Sequence, residues 1–110
     1  TTIDRPVNLK GSHSNEVGGL SGAPLFNNST SVLSDFYRLC EGRLPLIGVG
    51  GVSSGADAYS KIRAGASLVQ LYTALIFEGP SLIRRINDDL NFLLEQDGFS
   101  NISDAVGADH

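Results

Sequence analysis

The chain lacks three things: a hydrophobic run long enough to cross a membrane, a surplus of basic residues, and a second cysteine. No stretch approaches the roughly 18 consecutive apolar residues of a transmembrane helix. Its 110 residues carry eight Lys and Arg against twelve Asp and Glu. That balance argues against nucleic acid as a partner, because phosphate backbones are bound by clustered basic side chains. A single cysteine, Cys40, excludes an internal disulfide. With 41% hydrophobic residues, the chain suits one globular domain or part of one.

Glycine, in contrast, is abundant and concentrated in two places. The chain has 13 glycines, and most of them fall within 18–22 and 48–55. The second cluster, "GVGGVSSG", follows an apolar run and precedes a predicted helix, so Gly50 and Gly51 lie where a strand gives way to a helix N-terminus. Free N–H groups meet there and no Cβ blocks an approaching phosphate. A tight structural turn would use the same two glycines, and both interpretations stay open at this point.

The hydrophobic pattern predicts helices that alternate with strands. Residues 10–31 have no period and are expected to form a long loop, which is uncommon unless it is functional. A helix is predicted over 32–41, with Cys40 on its apolar face as an inert core residue. Two apolar strands (44–52 and 67–75), a helix between them that begins after Ser54, and a long helix from Pro80 complete the order. This order is typical of a parallel α/β protein, and two strands alone need further neighbours. We therefore expect a piece of a larger domain.

Polar residues are expected to meet at the carboxyl edge of this sheet. Tyr72 and Thr73 end the second strand, beside the turn at Gly50 and Gly51, and the long loop carries the small-residue cluster "GGLSG". In (β/α)₈ barrels the loops after the last two strands often form a phosphate site. Other phosphate motifs do not fit, because Ser53 stands at the third glycine of the dinucleotide fingerprint and no Gly-Lys-Ser/Thr occurs.

Longer segments resemble the dihydroorotate dehydrogenase family. "TTIDRP", "EVGGLSGAPL", "LPLIGVGGVSSGADAYSKIRAGASLVQLYTALIFEGP" and "DAVGADH" are similar to the C-terminal quarter or so of its class 2, quinone-dependent members, in the same order. The resemblance implies an α/β fold, the C-terminal part of a (β/α)₈ TIM barrel. It also implies an FMN enzyme that oxidises dihydroorotate to orotate with a quinone as acceptor, the fourth step of de novo pyrimidine (UMP) synthesis.

The same resemblance divides the chain and assigns its cofactor site. It implies an active-site loop at 10–31, an FMN-phosphate strand–helix–strand unit at 45–75, and a C-terminal helix and tail at 80–110. The phosphate turn and the end of the second strand match positions around the FMN phosphate, and two loop residues match positions against the flavin. The implied cofactor residues are Ser21, Gly22, Gly50, Gly51, Tyr72 and Thr73.

Substrate and quinone positions follow from the resemblance as well. Thr1 matches the second residue of the family's Asn-Thr-Thr motif, which binds dihydroorotate. Tyr72, Leu75 and Pro80 resemble positions that line the quinone tunnel, with plain packing at a helix start as the alternative for Leu75 and Pro80. No metal site is expected.

The remaining machinery is expected in the N-terminal remainder of the barrel. The resemblance places there the catalytic serine, a lysine near the flavin, and amphipathic helices that dock on the membrane, so no residue of this chain is a candidate catalytic base. It implies the mitochondrial inner membrane of a eukaryote, which we favour, or a bacterial cytoplasmic membrane. Two alternatives stay open: another phosphate- or FMN-binding TIM-barrel enzyme, and a non-catalytic interaction fragment. The segments "TTIDRP" and "GGLSG" favour the dehydrogenase.

Overall fold

The computed structural model describes all 110 residues, as helices that alternate with two strands. The predicted order of helix, strand, helix, strand and long helix is confirmed, and two short helices that the pattern did not predict follow the second strand and the long helix. A 3₁₀ turn at Ala23–Leu25 runs directly into the first helix. The elements are α1 (Phe26–Leu39), β1 (Leu46–Val49), α2 (Gly55–Arg63), β2 (Ala66–Gln70), α3 (Thr73–Glu78), α4 (Ser81–Gln96) and α5 (Ile102–Ala105).

The two strands pair in parallel, as predicted, and α2 connects them. Leu46 is opposite Ala66, and after an irregularity between Leu46 and Ile47 the register continues to Val49 opposite Gln70. Since side chains alternate along a strand, one face of the sheet carries Ile47, Val49, Leu68 and Gln70, and all four are exposed. This apolar face is open to further parts of a barrel.

The opposite face of the sheet packs on α2, which in turn packs on α4. One cluster of buried side chains joins the α2 start to the α4 start, and a second joins the α2 end to α5. Together they contain Val52, Ala58, Tyr59, Ile62, Leu82, Ile86, Leu94 and Ala105. Burying a side chain such as Ile62 contributes about 2 kcal/mol. As predicted, α2 begins after Ser54, whose Oγ accepts from the N–H of Asp57 at 3.1 Å.

The predicted loop over 10–31 is too long at its C-terminal end, because helical structure begins at Ala23 and α1 at Phe26. Asn, Ser and Thr are weak helix formers, so the pattern of 27–31 did not indicate a helix. In the fold, Thr30 Oγ1 donates to the carbonyl of Phe26 at 2.6 Å, and Leu25 and Leu33 are buried on either side. Tertiary packing therefore overrides local propensity here.

Three further expectations differ from the structure. The first strand covers Leu46–Val49 instead of 44–52. The second strand ends at Gln70 instead of running to 75, and Thr73 and Leu75 belong to the short helix α3, which a continuous apolar run does not distinguish from a strand. Cys40 is only half-buried at the end of α1, where its Sγ donates to the carbonyl of Tyr37 at 3.4 Å. The apolar face of α1 that was expected to bury it is exposed, with Phe36 at 59%.

Candidate functional site

One cavity brings together seven of the residues that the sequence singled out. Its volume is about 690 Å³, and it lies at the carboxyl ends of β1 and β2, where the loops leave the sheet. Parallel strands present these ends at a common edge, and the segment 21–25 encloses the cavity from a third side. The seven are Thr1, Ser21, Gly22, Gly50, Gly51, Tyr72 and Thr73.

Direct contacts tie the loop "GGLSG" to the start of α3. Thr73 Oγ1 donates to Ser21 Oγ at 3.3 Å. Gly22 has a φ of +82°, and a Cβ built on it would lie 3.3 Å from Thr73 Cγ2. The loop and the end of β2 therefore meet across the cavity, although 51 residues of sequence separate Ser21 from Thr73.

The N-terminal segment is held at the rim of the cavity by backbone pairing. Thr2 and Leu20 form an antiparallel bridge with N–H to carbonyl distances of 3.1 and 2.7 Å. This bridge places Thr1 beside Gly19, so closely that a Cβ on Gly19 would lie 2.8 Å from Thr1 Cβ. Thr1 itself is exposed on the cavity wall.

Two backbone N–H groups of residues that line the cavity have no acceptor within the protein. The N–H groups of Gly22 and Gly51 donate to no protein acceptor. The start of α2 is different, because Asp57 Oδ2 accepts from both the N–H and the Oγ of Ser53, each at 3.0 Å. With the hydroxyls of Ser21 and Thr73, the cavity offers neutral donors of the kind that hold a phosphate.

Packing within the protein explains the two glycines at 50 and 51. A Cβ on Gly51 would lie 2.6 Å from the backbone N of Phe26, and one on Gly50 would lie 2.7 Å from Ser29 Oγ. Both residues also have a positive φ, which is +108° for Gly50 and +74° for Gly51. The structure thus favours the tight-turn interpretation for the residue type, because the Cβ position faces α1 and not an approaching ligand. The turn nevertheless lines the cavity.

A buried lysine lies beneath this turn. Lys61 on α2 has no exposed surface. Its Nζ donates to Ser29 Oγ at 2.6 Å, and Ser29 Oγ donates to the carbonyl of Gly50 at 3.0 Å. Burial lowers the pKa of Lys61 to about 8, against the opposing attraction of Asp57. Sequence analysis missed Lys61. Its spacing of three from Ala58, on the buried face of α2, is the signal that could have indicated it.

The three predicted quinone positions do not share one cavity within this chain. Tyr72 lines the cavity described above and is 77% exposed. Leu75 lines a second cavity of about 490 Å³ between β2, α2 and α4. Pro80 is exposed at the N-cap of α4 and lines neither. Their role as a quinone tunnel stays a prediction.

Parallel strands, a helical crossover and a candidate site at the carboxyl ends of the strands define the class as a parallel α/β protein, which includes the (β/α)₈ barrel. The crystal structure of a ligand-free DHODH from Eimeria tenella superposes on the whole chain with a TM-score of 0.97 at 47% identity, and the match covers 31% of that chain. The chain belongs to the dihydroorotate dehydrogenase family, whose family model, described as "Dihydroorotate dehydrogenase", matches residues 1–94.

Curated relatives carry the same name with a qualifier. The "Dihydroorotate dehydrogenase (quinone)" of Azorhizobium caulinodans is 62% identical over 99% of this chain, which covers 31% of that relative. The mitochondrial protein of the same name from Mus musculus is 54% identical over the whole chain, which covers 28% of that relative. The chain therefore spans about 30% of the length of these relatives.

These matches confirm the resemblance to the quinone-dependent class and the partial TIM barrel, and the family is flavin-dependent. They set aside the alternative of another phosphate- or FMN-binding TIM-barrel enzyme. Relatives occur both in bacteria and in mitochondria. No helix of the structure combines the length and the apolar character that crossing a bilayer requires.

Proposed function

We propose that this chain forms the flavin-phosphate end, and part of the substrate pocket, of a quinone-dependent dihydroorotate dehydrogenase. One observation carries the proposal: in a chain of this family, Thr1, the loop at 21–22, the turn at 50–51 and the strand end at 72–73 line a single cavity. Curated relatives at 54–62% identity bear the name of this activity.

The cavity suits the phosphate of FMN. The unpartnered N–H groups of Gly22 and Gly51 would donate to phosphate oxygens. The hydroxyl of Ser21 would add a third donor, and that of Thr73 a fourth by turning from Ser21 to the phosphate. Tyr72 and Gly50 complete the walls. Neutral donors that the backbone holds in place bind a phosphate through directional hydrogen bonds. They do not constrain the flavin ring.

Thr1 is placed for the substrate. Dihydroorotate is a small ring with N–H and C=O edges, and a threonine hydroxyl both donates and accepts. The bridge between Thr2 and Leu20 holds Thr1 at the rim of the same cavity. The chemistry that bound FMN supplies is two-electron transfer: dihydroorotate loses a hydride and a proton to become orotate, and the electrons pass to a quinone.

The acid–base group and the membrane contact belong to the rest of the barrel in this proposal. We propose that Tyr72, Leu75 and Pro80 border the path of a ubiquinone-type quinone, and that the enzyme acts at the membrane that holds it. That membrane is the mitochondrial inner membrane in a eukaryote or the cytoplasmic membrane in a bacterium, in line with relatives of both kinds.

A test of the function uses the full-length enzyme. We expect it to retain FMN and to reduce a ubiquinone analogue when dihydroorotate is supplied. Thr73→Val, which removes a donor of the cavity at constant shape, should lower FMN retention. Ser60→Ala is the matched control, because Ser60 is an exposed hydroxyl on α2 that only donates to the carbonyl of Ala56. An enzyme that oxidises no dihydroorotate, or a Thr73→Val variant with unchanged flavin content, would contradict the proposal.

A further inference from the structure

Lys61 is a buried cation whose contacts are all neutral. Its side chain has no exposed surface, and no carboxylate lies within ion-pair distance of its Nζ. The Nζ contacts are Ser29 Oγ at 2.6 Å, the carbonyl of Phe26 at 3.4 Å, and the Phe26 ring, whose centroid lies 4.8 Å away. A buried charge normally has a charged partner, because taking it out of water is costly. The Asp57 carboxylate attracts Lys61 but accepts its hydrogen bonds from Ser53.

The position of Lys61 links it to the cavity. Ser29 bridges from the Nζ to the carbonyl of Gly50, with distances of 2.6 and 3.0 Å. Gly50 lies on the cavity wall next to Gly51. The chain Lys61–Ser29–Gly50 therefore runs from the buried face of α2, past the first turns of α1, to the turn that lines the cavity.

We propose that Lys61 is a positioning residue of the phosphate cradle: through Ser29 it fixes the Gly50–Gly51 turn, and its charge complements the anion that the cradle holds with neutral donors only. The inference rests on the proposed function, because it takes the cavity to be the phosphate site. A phosphate dianion in the cavity would supply a counter-charge in addition to Asp57, which attracts Lys61 from beyond ion-pair distance.

One general argument and one observation support this assignment over a purely structural role. If Lys61 only filled space, an apolar side chain would serve equally well, because apolar side chains are often as stabilising in a core as buried charges. The hydroxyl of Ser29 also packs directly against Gly50. A Cβ built on Gly50 would lie 2.7 Å from Ser29 Oγ. The turn, the hydroxyl and the ammonium group therefore form one tightly packed unit.

The test compares FMN with riboflavin, which has the same ring system and no phosphate. Apoenzyme of the full-length protein is titrated with each flavin, and the Kd is read from quenching of flavin fluorescence. The variants are Lys61→Met and Ser29→Ala. Ile62→Val is the control, since Ile62 is equally buried on α2 but packs toward Leu94 and Ala105 instead of Ser29.

We expect Lys61→Met to raise the Kd for FMN about tenfold to a hundredfold, the scale of one nearby charge in a protein environment, and to change the Kd for riboflavin less than about twofold. Ser29→Ala should give a smaller change with the same preference for FMN, and Ile62→Val should leave the ratio of the two Kd values unchanged. An equal change for both flavins, or no change for FMN, would overturn the inference.

Two other outcomes are also decisive. If Lys61→Met does not fold, Ser29→Ala decides alone: a loss confined to FMN supports the inference, and no such loss overturns it. If the wild-type apoenzyme binds FMN no more tightly than riboflavin, the cavity is not a phosphate site. In that case the proposed function fails together with the role of Lys61, whereas a failure of Lys61→Met alone leaves the proposed function intact.

Discussion

Replacing Gly51 by alanine tests how closely the end of β1 approaches α1. The new Cβ would lie 2.6 to 2.7 Å from the N, Cα and Cβ of Phe26. Two of these atoms are backbone at the start of α1, so they cannot turn aside as the end of a flexible side chain could. Gly51 also has a φ of +74°, a region that is unfavourable for alanine.

Gly98 separates these two effects. It has nearly the same φ, +79°, but nothing lies within 4 Å of the position that its Cβ would take. Gly98→Ala therefore carries only the backbone cost, about 1–2 kcal/mol of unfolding free energy. Gly51→Ala carries the same cost plus that of forcing a methyl group into a filled space, typically about 1–3 kcal/mol. We expect Gly51→Ala to destabilise the protein by about 2–5 kcal/mol in total.

The assay is urea unfolding of the full-length apoenzyme, followed by circular dichroism, with the two variants side by side. Working without flavin keeps ligand binding out of the measured stability. Equal midpoints for Gly51→Ala and Gly98→Ala would refute the reasoning, because they would show that the turn can move away from Phe26 at no cost.

Three further perturbations address Lys61, the loop and Thr1. Because burial lowers the pKa of Lys61 from 10.5 to about 8, the unfolded apoenzyme binds more protons between these pH values. Stability should therefore rise as the pH increases from about 8 toward 10. Above that range the raised pKa of Tyr59, caused by its burial, opposes the rise. Urea midpoints measured within this range should show the rise, and Lys61→Met should remove it. Arg5 binds the loop over 10–22, because its Nη2 donates to the carbonyls of Glu16 and Gly18 at 3.1 and 2.7 Å. Limited proteolysis should cut this loop first, faster in Arg5→Ala and more slowly with orotate. Equal rates with and without orotate would exclude a role as a lid. Thr1→Val should lower kcat/KM for dihydroorotate about tenfold to a hundredfold at unchanged FMN content, since it leaves a substrate group without a partner. A loss of flavin at unchanged turnover would assign Thr1 to the cofactor.

Most of the fold could be predicted from local sequence patterns. The Ser54 cap three residues before Asp57, and the apolar positions at Ala58 and Ile62, defined α2, and the structure confirms both. The first turns of α1 could not be predicted in this way. Asn27 to Thr30 have neither the spacing nor the propensity of a helix, and contacts with distant residues hold them in place.

The candidate site was predicted by residue type but not by physical cause. Gly50 and Gly51 were expected to make room for a phosphate, whereas their Cβ positions face Ser29 and Phe26. Lys61 escaped sequence analysis because a lysine on a helix is normally exposed. Its burial depends on Ser29 and Phe26, which lie more than 30 residues earlier in the chain. Such long-range contacts are invisible to a pattern of spacings.

The central claim is that the cavity between residues 21–22, 50–51 and 72–73 holds the phosphate of the flavin. A crystal structure of the full-length enzyme with FMN bound tests it most directly. We predict phosphate oxygens at about 3 Å from the backbone N atoms of Gly22 and Gly51, with the hydroxyl of Thr73 also in contact. A flavin phosphate bound elsewhere, with these two N–H groups facing water, would contradict the account.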